Sequence, residues 1–72
     1  EEDLVAAKDQ RVEDALWIAL QTLRERVQML ETMAEADRRR GWHRNAGGYE
    51  ERARETRAAA DRLRALIESL AG

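Results

Sequence analysis

The sequence predicts an all-α fold: an antiparallel hairpin of two helices in which the first helix is the longer. The chain contains no proline, and its only glycines are Gly41, Gly47, Gly48 and Gly72. Alanine, leucine, glutamate and arginine, which are good helix formers, fill the segments on both sides of Gly41. β-Branched residues never run together as a strand requires. These features predict a single domain made of two helices and one turn.

The first helix is expected over residues 4–40. Arginines fill its last turn, where the negative end of the helix dipole favours cations, and Gly41 can adopt the left-handed conformation that closes a helix. A turn over about residues 41–44 then leads to a second helix over about residues 44–70. At ~1.5 Å per residue the helices would be ~54 Å and ~40 Å long, so the first should overhang the second. Gly47 and Gly48 are poor helix formers, so they leave undecided the residue at which the second helix begins.

Apolar residues recur along both helices at alternating steps of four and three, which indicates two seams that face each other. The seam of the first helix contains Leu16, Leu20, Leu23, Val27, Leu30 and Ala34, with Val12 and Val5 upstream. The seam of the second contains Ala46, Tyr49, Ala53, Thr56, Ala60, Leu63, Ile67 and Leu70. Small residues opposite leucines would let the helix axes approach closely. This pairing places Leu70 near Leu16 and leaves residues 1–14 without a partner in the chain.

The first helix has more apolar surface than one shorter helix can cover. Ala15, Ile18, Thr22, Met29, Met33 and Ala36 lie to one side of the seam and widen the apolar arc beyond about 150°. We therefore expect a homodimer that forms a four-helix bundle, because two-fold symmetry satisfies a self-complementary patch. Docking on the chain's own parent domain is the alternative. The predicted interface residues are Val12, Ala15, Leu16, Trp17, Ile18, Thr22, Met29 and Met33.

Trp17 lies on the flank of the first helix opposite Ile18, among polar residues. It is either a rim residue stacked on Arg24 or an anchor in an interface.

No residue pattern predicts catalysis, a cofactor site or a metal site. His43 is the only histidine, and no acid or cysteine lies beside it at metal-ligand spacing. The nearby acids, including Asp37 and Glu50, are expected on the helix surface. Ser69 is the only serine, and no histidine lies near it in sequence to act as a base. We expect neither an enzyme nor a protein that binds a small-molecule substrate.

Charge and composition bear on the partner and the compartment. Arg38, Arg39, Arg40 and Arg44 form a basic tip around Trp42, but the net charge is −2 and a nucleic-acid module would spread positive charge along a face. We therefore expect no nucleic-acid partner. Residues 1–14 contain six acids against Lys8 and Arg11, so the hairpin has one acidic and one basic end.

Composition also bears on the compartment. No apolar run reaches ~18 residues, so no membrane span is expected. The absence of cysteine and of a signal peptide favours the cytoplasm, and a start without methionine suggests a part of a longer protein.

One segment has a specific resemblance. The run Val12–Arg26, with Ala15-Leu16-Trp17 followed by Leu20 and Glu25-Arg26, resembles the helical C-terminal extension of some bacterial chemotaxis-type protein-glutamate methylesterases. Arg40-Gly41 and residues 49–53 continue the likeness, which spans most of residues 4–70. That family carries its Ser/His/Asp chemistry in a separate α/β domain, and no position here matches those residues. The resemblance implies a cytoplasmic accessory segment of a bacterial signalling protein that dimerises or docks on its parent.

Two other readings stay open at the level of sequence. A stand-alone helical adaptor would bind a partner helix, and Ala46, Tyr49 and Ala53 have the spacing of one tetratricopeptide-like helix, although no 34-residue repeat is visible. A nucleic-acid or phosphotransfer module is the third reading, through the basic tip or His43.

Overall fold

The computed structural model describes the backbone of residues 2–71 and the side chains of residues 10–71. Two helices make up that backbone apart from a short turn: α1 spans Glu2–Arg39 and α2 spans His43–Ala71. The predicted all-α hairpin is therefore confirmed, and the helix ends lie within one or two residues of the expected positions. Gly47 and Gly48 lie inside α2 and do not delay its start. The molecule is a rod of 60 × 15 × 12 Å, and its long dimension is the length of α1.

The turn between the helices is closed by two backbone hydrogen bonds around Gly41. Gly41 has a φ of 82°. Its N–H donates to the carbonyl oxygen of Arg38 at 3.1 Å, and the N–H of Trp42 donates to the carbonyl oxygen of Asp37 at 2.8 Å. These bonds satisfy two carbonyl groups that the end of a helix otherwise leaves unpaired. The carbonyl oxygen of Trp42 then accepts the first bond of α2, from Ala46 at 3.0 Å.

The core follows the line along which the two helices meet. On α2 the buried residues are seven apart, so they share one side of the helix: Ala46, Ala53, Ala60 and Ile67. The buried apolar residues of α1 are mostly larger: Leu20, Val27, Leu30 and Ala34. Large residues on α1 against small ones on α2 allow close packing, as the sequence predicts.

Three residues differ from expectation. Val12, predicted to extend the seam of α1, is 52% exposed and lies to one side of it. Leu70 has the spacing of a core residue but is 60% exposed, because it lies at the edge of the seam in the last turn of α2. Asp37 was expected on the surface, and that interpretation is wrong, since it is only 7% exposed. Asp37 follows Leu30 by seven residues and so occupies the seam at the end of α1. Its Oδ1 accepts a hydrogen bond of 3.2 Å from Arg40.

The register of the hairpin is marked by two ion pairs between the helices, Arg38–Glu50 and Glu31–Arg57. The two pairs are seven residues apart on each helix, and the helices run in opposite directions. Fourteen residues further from Glu31 and Arg57, Trp17 is therefore level with Ala71. Residues 2–16 extend beyond the end of α2 by about 22 Å. The backbone of this overhang is helical from Glu2. The side chain of Val5, predicted to continue the seam, lies outside the described residues.

Candidate interaction surface

The hairpin has two different sides, one of them polar. Both inter-helix ion pairs lie on this polar side, and a shallow groove there is lined by Arg24, Gln28, Glu31, Arg57 and Asp61 together with the core residues Val27 and Ala60. Trp17, Arg24, Glu31 and Arg38 are seven apart on α1 and share this side. Four of the charged groups on this side, Arg38 with Glu50 and Glu31 with Arg57, are therefore paired within the chain.

The opposite side of α1 carries a second apolar series, which we call the outer seam. Its steps alternate between three and four, like those of the core seam, and it is rotated away from α2. Its members are Val12, Ala15, Ala19, Thr22, Arg26, Met29, Met33 and Ala36. Arg26 is the only charged residue in the series. A helix with two such seams can pack against two neighbours at once.

The outer seam is open to solvent. Val12 is 52% exposed, Met29 is 48% exposed and Met33 is 37% exposed. Ile18, at its border, is 68% exposed and is the most exposed large apolar residue among the described side chains. On α2, Leu66 and Leu70 face the same side of the hairpin and are also more than half exposed. These residues place exposed apolar side chains along most of one side of the rod, with Arg26 between them.

Residue size changes along the outer seam. Its N-terminal half contains Ala15, Ala19 and Thr22, whereas the C-terminal half contains the long, flexible side chains of Met29 and Met33. A partner that lies along this seam therefore needs large side chains at one end and small ones at the other.

The outer seam ends at the tip of the hairpin in a shallow groove. Met33, Ala36, Trp42 and Tyr49 supply apolar and aromatic walls, and Asp37 and Arg40 lie beside them. The guanidinium of Arg40 lies 5.2 Å from the centre of the Trp42 ring, within the range of a cation–π interaction. The tip thus presents positive charge next to an apolar surface.

Of the predicted interface residues, Val12, Ala15, Thr22, Met29 and Met33 lie on the outer seam, with Ile18 at its border. Leu16 instead packs against the core formed by Leu20, Ala60 and Ile67. Trp17 lies on the polar side and is 42% exposed. Among the described residues the close cation–aromatic pairs are Arg40–Trp42 and Arg52–Tyr49, so Trp17 is not stacked on Arg24.

Sequence reasoning missed three members of this side, Ala19, Arg26 and Leu66. The alternating steps of three and four would have located Ala19, since it falls between Ala15 and Thr22. Leu66 could be assigned to this side only once the side of α2 that faces away from the ion pairs was known.

Chemically reactive side chains are dispersed. His43 is exposed in the first turn of α2, and Ser69 is exposed in its last turns, at the other end of that helix. Within the described residues, no three His, Cys, Asp or Glu side chains come together as metal ligands. Neither α1 nor α2, over its described length, combines the apolar character and freedom from charge that a membrane crossing requires.

A scan against protein-family models and searches of curated proteins and of solved structures found no match for this chain. The resemblance to the extension of the chemotaxis-type methylesterases therefore stays a prediction.

Proposed function

We propose that this chain is a non-catalytic oligomerisation module in which a second copy covers the outer seam of α1 and the two hairpins form a four-helix bundle. The observation that carries the proposal is the exposure of Ile18, Met29 and Met33 along one side of a helix whose other apolar side is already buried. Exposed apolar series of this length on a helix are typical of helix–helix interfaces.

The physical reason is the free energy of burial. Each large apolar side chain left in water forfeits roughly 1.5 to 3 kcal/mol relative to full burial. The core of the hairpin is narrow, because α2 contributes mainly alanines to it, and chains of this size commonly gain stability by oligomerisation. A second hairpin would bury the outer seam and would also lie beside the overhang of residues 2–16.

The resemblance supports a cellular setting for this module. On this resemblance the chain would be an accessory segment of a bacterial, cytoplasmic signalling protein of the chemotaxis type, whose catalytic groups would lie in another domain. In that setting, association of the modules would bring the parent domains together. The parent domain itself is the competing occupant of the outer seam.

The test is the association state of the 72-residue chain and of two matched variants. Sedimentation equilibrium at micromolar concentration is expected to report a dimer. Met29→Glu places a charge in the outer seam and is expected to raise the dissociation constant at least tenfold, because dimerisation would take the new carboxylate out of water and into an apolar interface. Gln28→Glu adds the same charge one residue away, on the polar side, and is expected to leave the dissociation constant within about a factor of two.

A folded monomer at all accessible concentrations would refute self-association and would favour docking on another domain. Equal weakening by Met29→Glu and Gln28→Glu would refute the outer seam as the interface. Circular dichroism of both variants checks that neither change has unfolded the hairpin.

A further inference from the structure

We propose that the second copy lies antiparallel along the outer seam, in the register that places Met29 and Met33 of each chain on Ala19 and Ala15 of the other. This inference rests on the proposed self-association and adds to it the direction and alignment of the two chains. It follows from three properties of the outer seam: its spacing, its order of residue sizes and its charges.

The spacing of the outer seam is the same when read from either end. From Val12 to Ala36 its steps are three, four, three, four, three, four and three. A reversed copy therefore matches every position of the seam, with the symmetry axis level with Arg24. In that register Val12 is level with Ala36 of the second copy. Registers displaced by one heptad would leave members at both ends of the seam unmatched.

Residue size favours the reversed copy. In the antiparallel register each methionine of one chain meets an alanine of the other, Met29 on Ala19 and Met33 on Ala15. Large against small fills the space between two helices evenly. A parallel copy would place methionine against methionine at one end and alanine against alanine at the other, which crowds the first and leaves gaps at the second.

Arg26 discriminates between the two directions. In a parallel dimer it would be level with Arg26 of the second copy, and the two like charges would lie within one apolar seam, where their repulsion is weakly screened. In the antiparallel register it is level with Thr22, a small polar residue that is exposed in the single chain. Glu25 follows Thr22 by three residues on the helix surface and offers an opposite charge nearby.

The ends of the rod carry complementary charges. Residues 38–44 contain four arginines and no acid, whereas residues 1–14 contain six acids and two cations. The antiparallel register places the basic tip of each chain level with the acidic overhang of the other, and this happens at both ends of the dimer. A parallel dimer would place acid beside acid and arginine beside arginine. The charges therefore select the same direction as the residue sizes.

Spin labels on the side of α1 away from the outer seam test the direction. The chain contains no cysteine, so Gln21→Cys and Glu35→Cys each introduce one labelling site. Both positions are exposed and lie fourteen residues apart on the same side of α1, so their lateral separations across a dimer are matched. In the proposed register the two labels at position 21 are about 9 Å apart along the axis, and those at position 35 are about 33 Å apart.

The expected result of a double electron–electron resonance measurement is a clearly longer distance for Glu35→Cys than for Gln21→Cys. Equal distances in a protein that sediments as a dimer would indicate parallel chains or an antiparallel register centred on residue 28, and either would overturn this inference while leaving the proposed function intact. A longer distance at position 21 would indicate a different antiparallel register and would overturn it as well. A monomer in sedimentation, with no dipolar signal from either label, would overturn both proposals.

Discussion

The N–H of Trp42 donates a hydrogen bond of 2.8 Å to the carbonyl oxygen of Asp37, five residues earlier in the chain. This bond encloses Gly41, whose φ of 82° lies in the region that side chains with a Cβ rarely adopt. The reversal of the chain, and with it the pairing of α1 with α2, depends on this one backbone conformation.

Gly41→Ala is therefore expected to lower the free energy of unfolding by about 1 kcal/mol. A Cβ at this position would meet no atom within 4 Å, so the cost is that of the backbone conformation alone. Gly48→Ala is the matched control: it also adds a Cβ into open space, but inside a helix, where it should raise stability by about 0.5 to 1 kcal/mol. Urea unfolding at one fixed chain concentration measures both changes. The same sign for the two would contradict the assigned turn.

The two isoleucines of the chain test the position of the core. Ile67 is fully buried, whereas Ile18 is 68% exposed. Ile67→Val is expected to cost about 0.5 to 1.5 kcal/mol, because it removes a methylene group from a packed site. Ile18→Val makes the same chemical change at a site that is exposed in the single hairpin, and it is expected to cost less than about 0.5 kcal/mol when both changes are made in the Met29→Glu background, where no second copy covers Ile18. Thermal unfolding of the two variants at equal concentration gives the comparison, and a larger effect at Ile18 would place the core elsewhere.

Much of this architecture follows from the sequence because helix geometry converts residue spacing directly into position. The steps of four and three around Leu20 and Ile67 predict the core, and Gly41 predicts the turn. The burial of Asp37 is harder to predict, since its residue type argues for the surface and only its seven-residue distance from Leu30 argues for the seam. The polar side could not be assigned either, because pairing Glu31 with Arg57 requires the register, which depends on the length of the turn.

The ion pair Glu31–Arg57 tests that register in solution. Glu31→Arg is expected to lower stability by about 0.2 to 1 kcal/mol, because both side chains of the pair are half-exposed and the interaction is screened by water. Adding Arg57→Glu should restore most of the loss, and the coupling should shrink in 1 M salt, where the screening length is about 3 Å.

The control for the substitutions at positions 31 and 57 is Glu68→Arg, which breaks the ion pair of Arg64 and Glu68 within α2. Arg57→Glu is not expected to rescue it. A double change at positions 31 and 57 that is no more stable than Glu31→Arg alone would mean that the helices are aligned differently.

Amide hydrogen exchange tests the overhang. An isolated helical end of about fifteen residues is marginal in water. In the proposed dimer the amides of residues 5–12 are expected to exchange as slowly as those of residues 20–30. In Met29→Glu, which should dissociate the dimer, residues 5–12 are expected to exchange rapidly while residues 20–30 stay protected by α2. Persistent protection of residues 5–12 in a demonstrated monomer would contradict the hairpin register.

The unequal sides of the hairpin also limit how far assembly can go. A rod with apolar residues on two opposite sides would offer each added copy a fresh surface, and such contacts propagate into filaments. Here the side that carries Glu31 and Arg57 is mostly polar, and these two side chains pair with each other. A two-fold partner on the outer seam would bury the apolar side of both chains in the same interface. Assembly would then stop at two hairpins, so each assembly would carry two copies of any domain attached to this module.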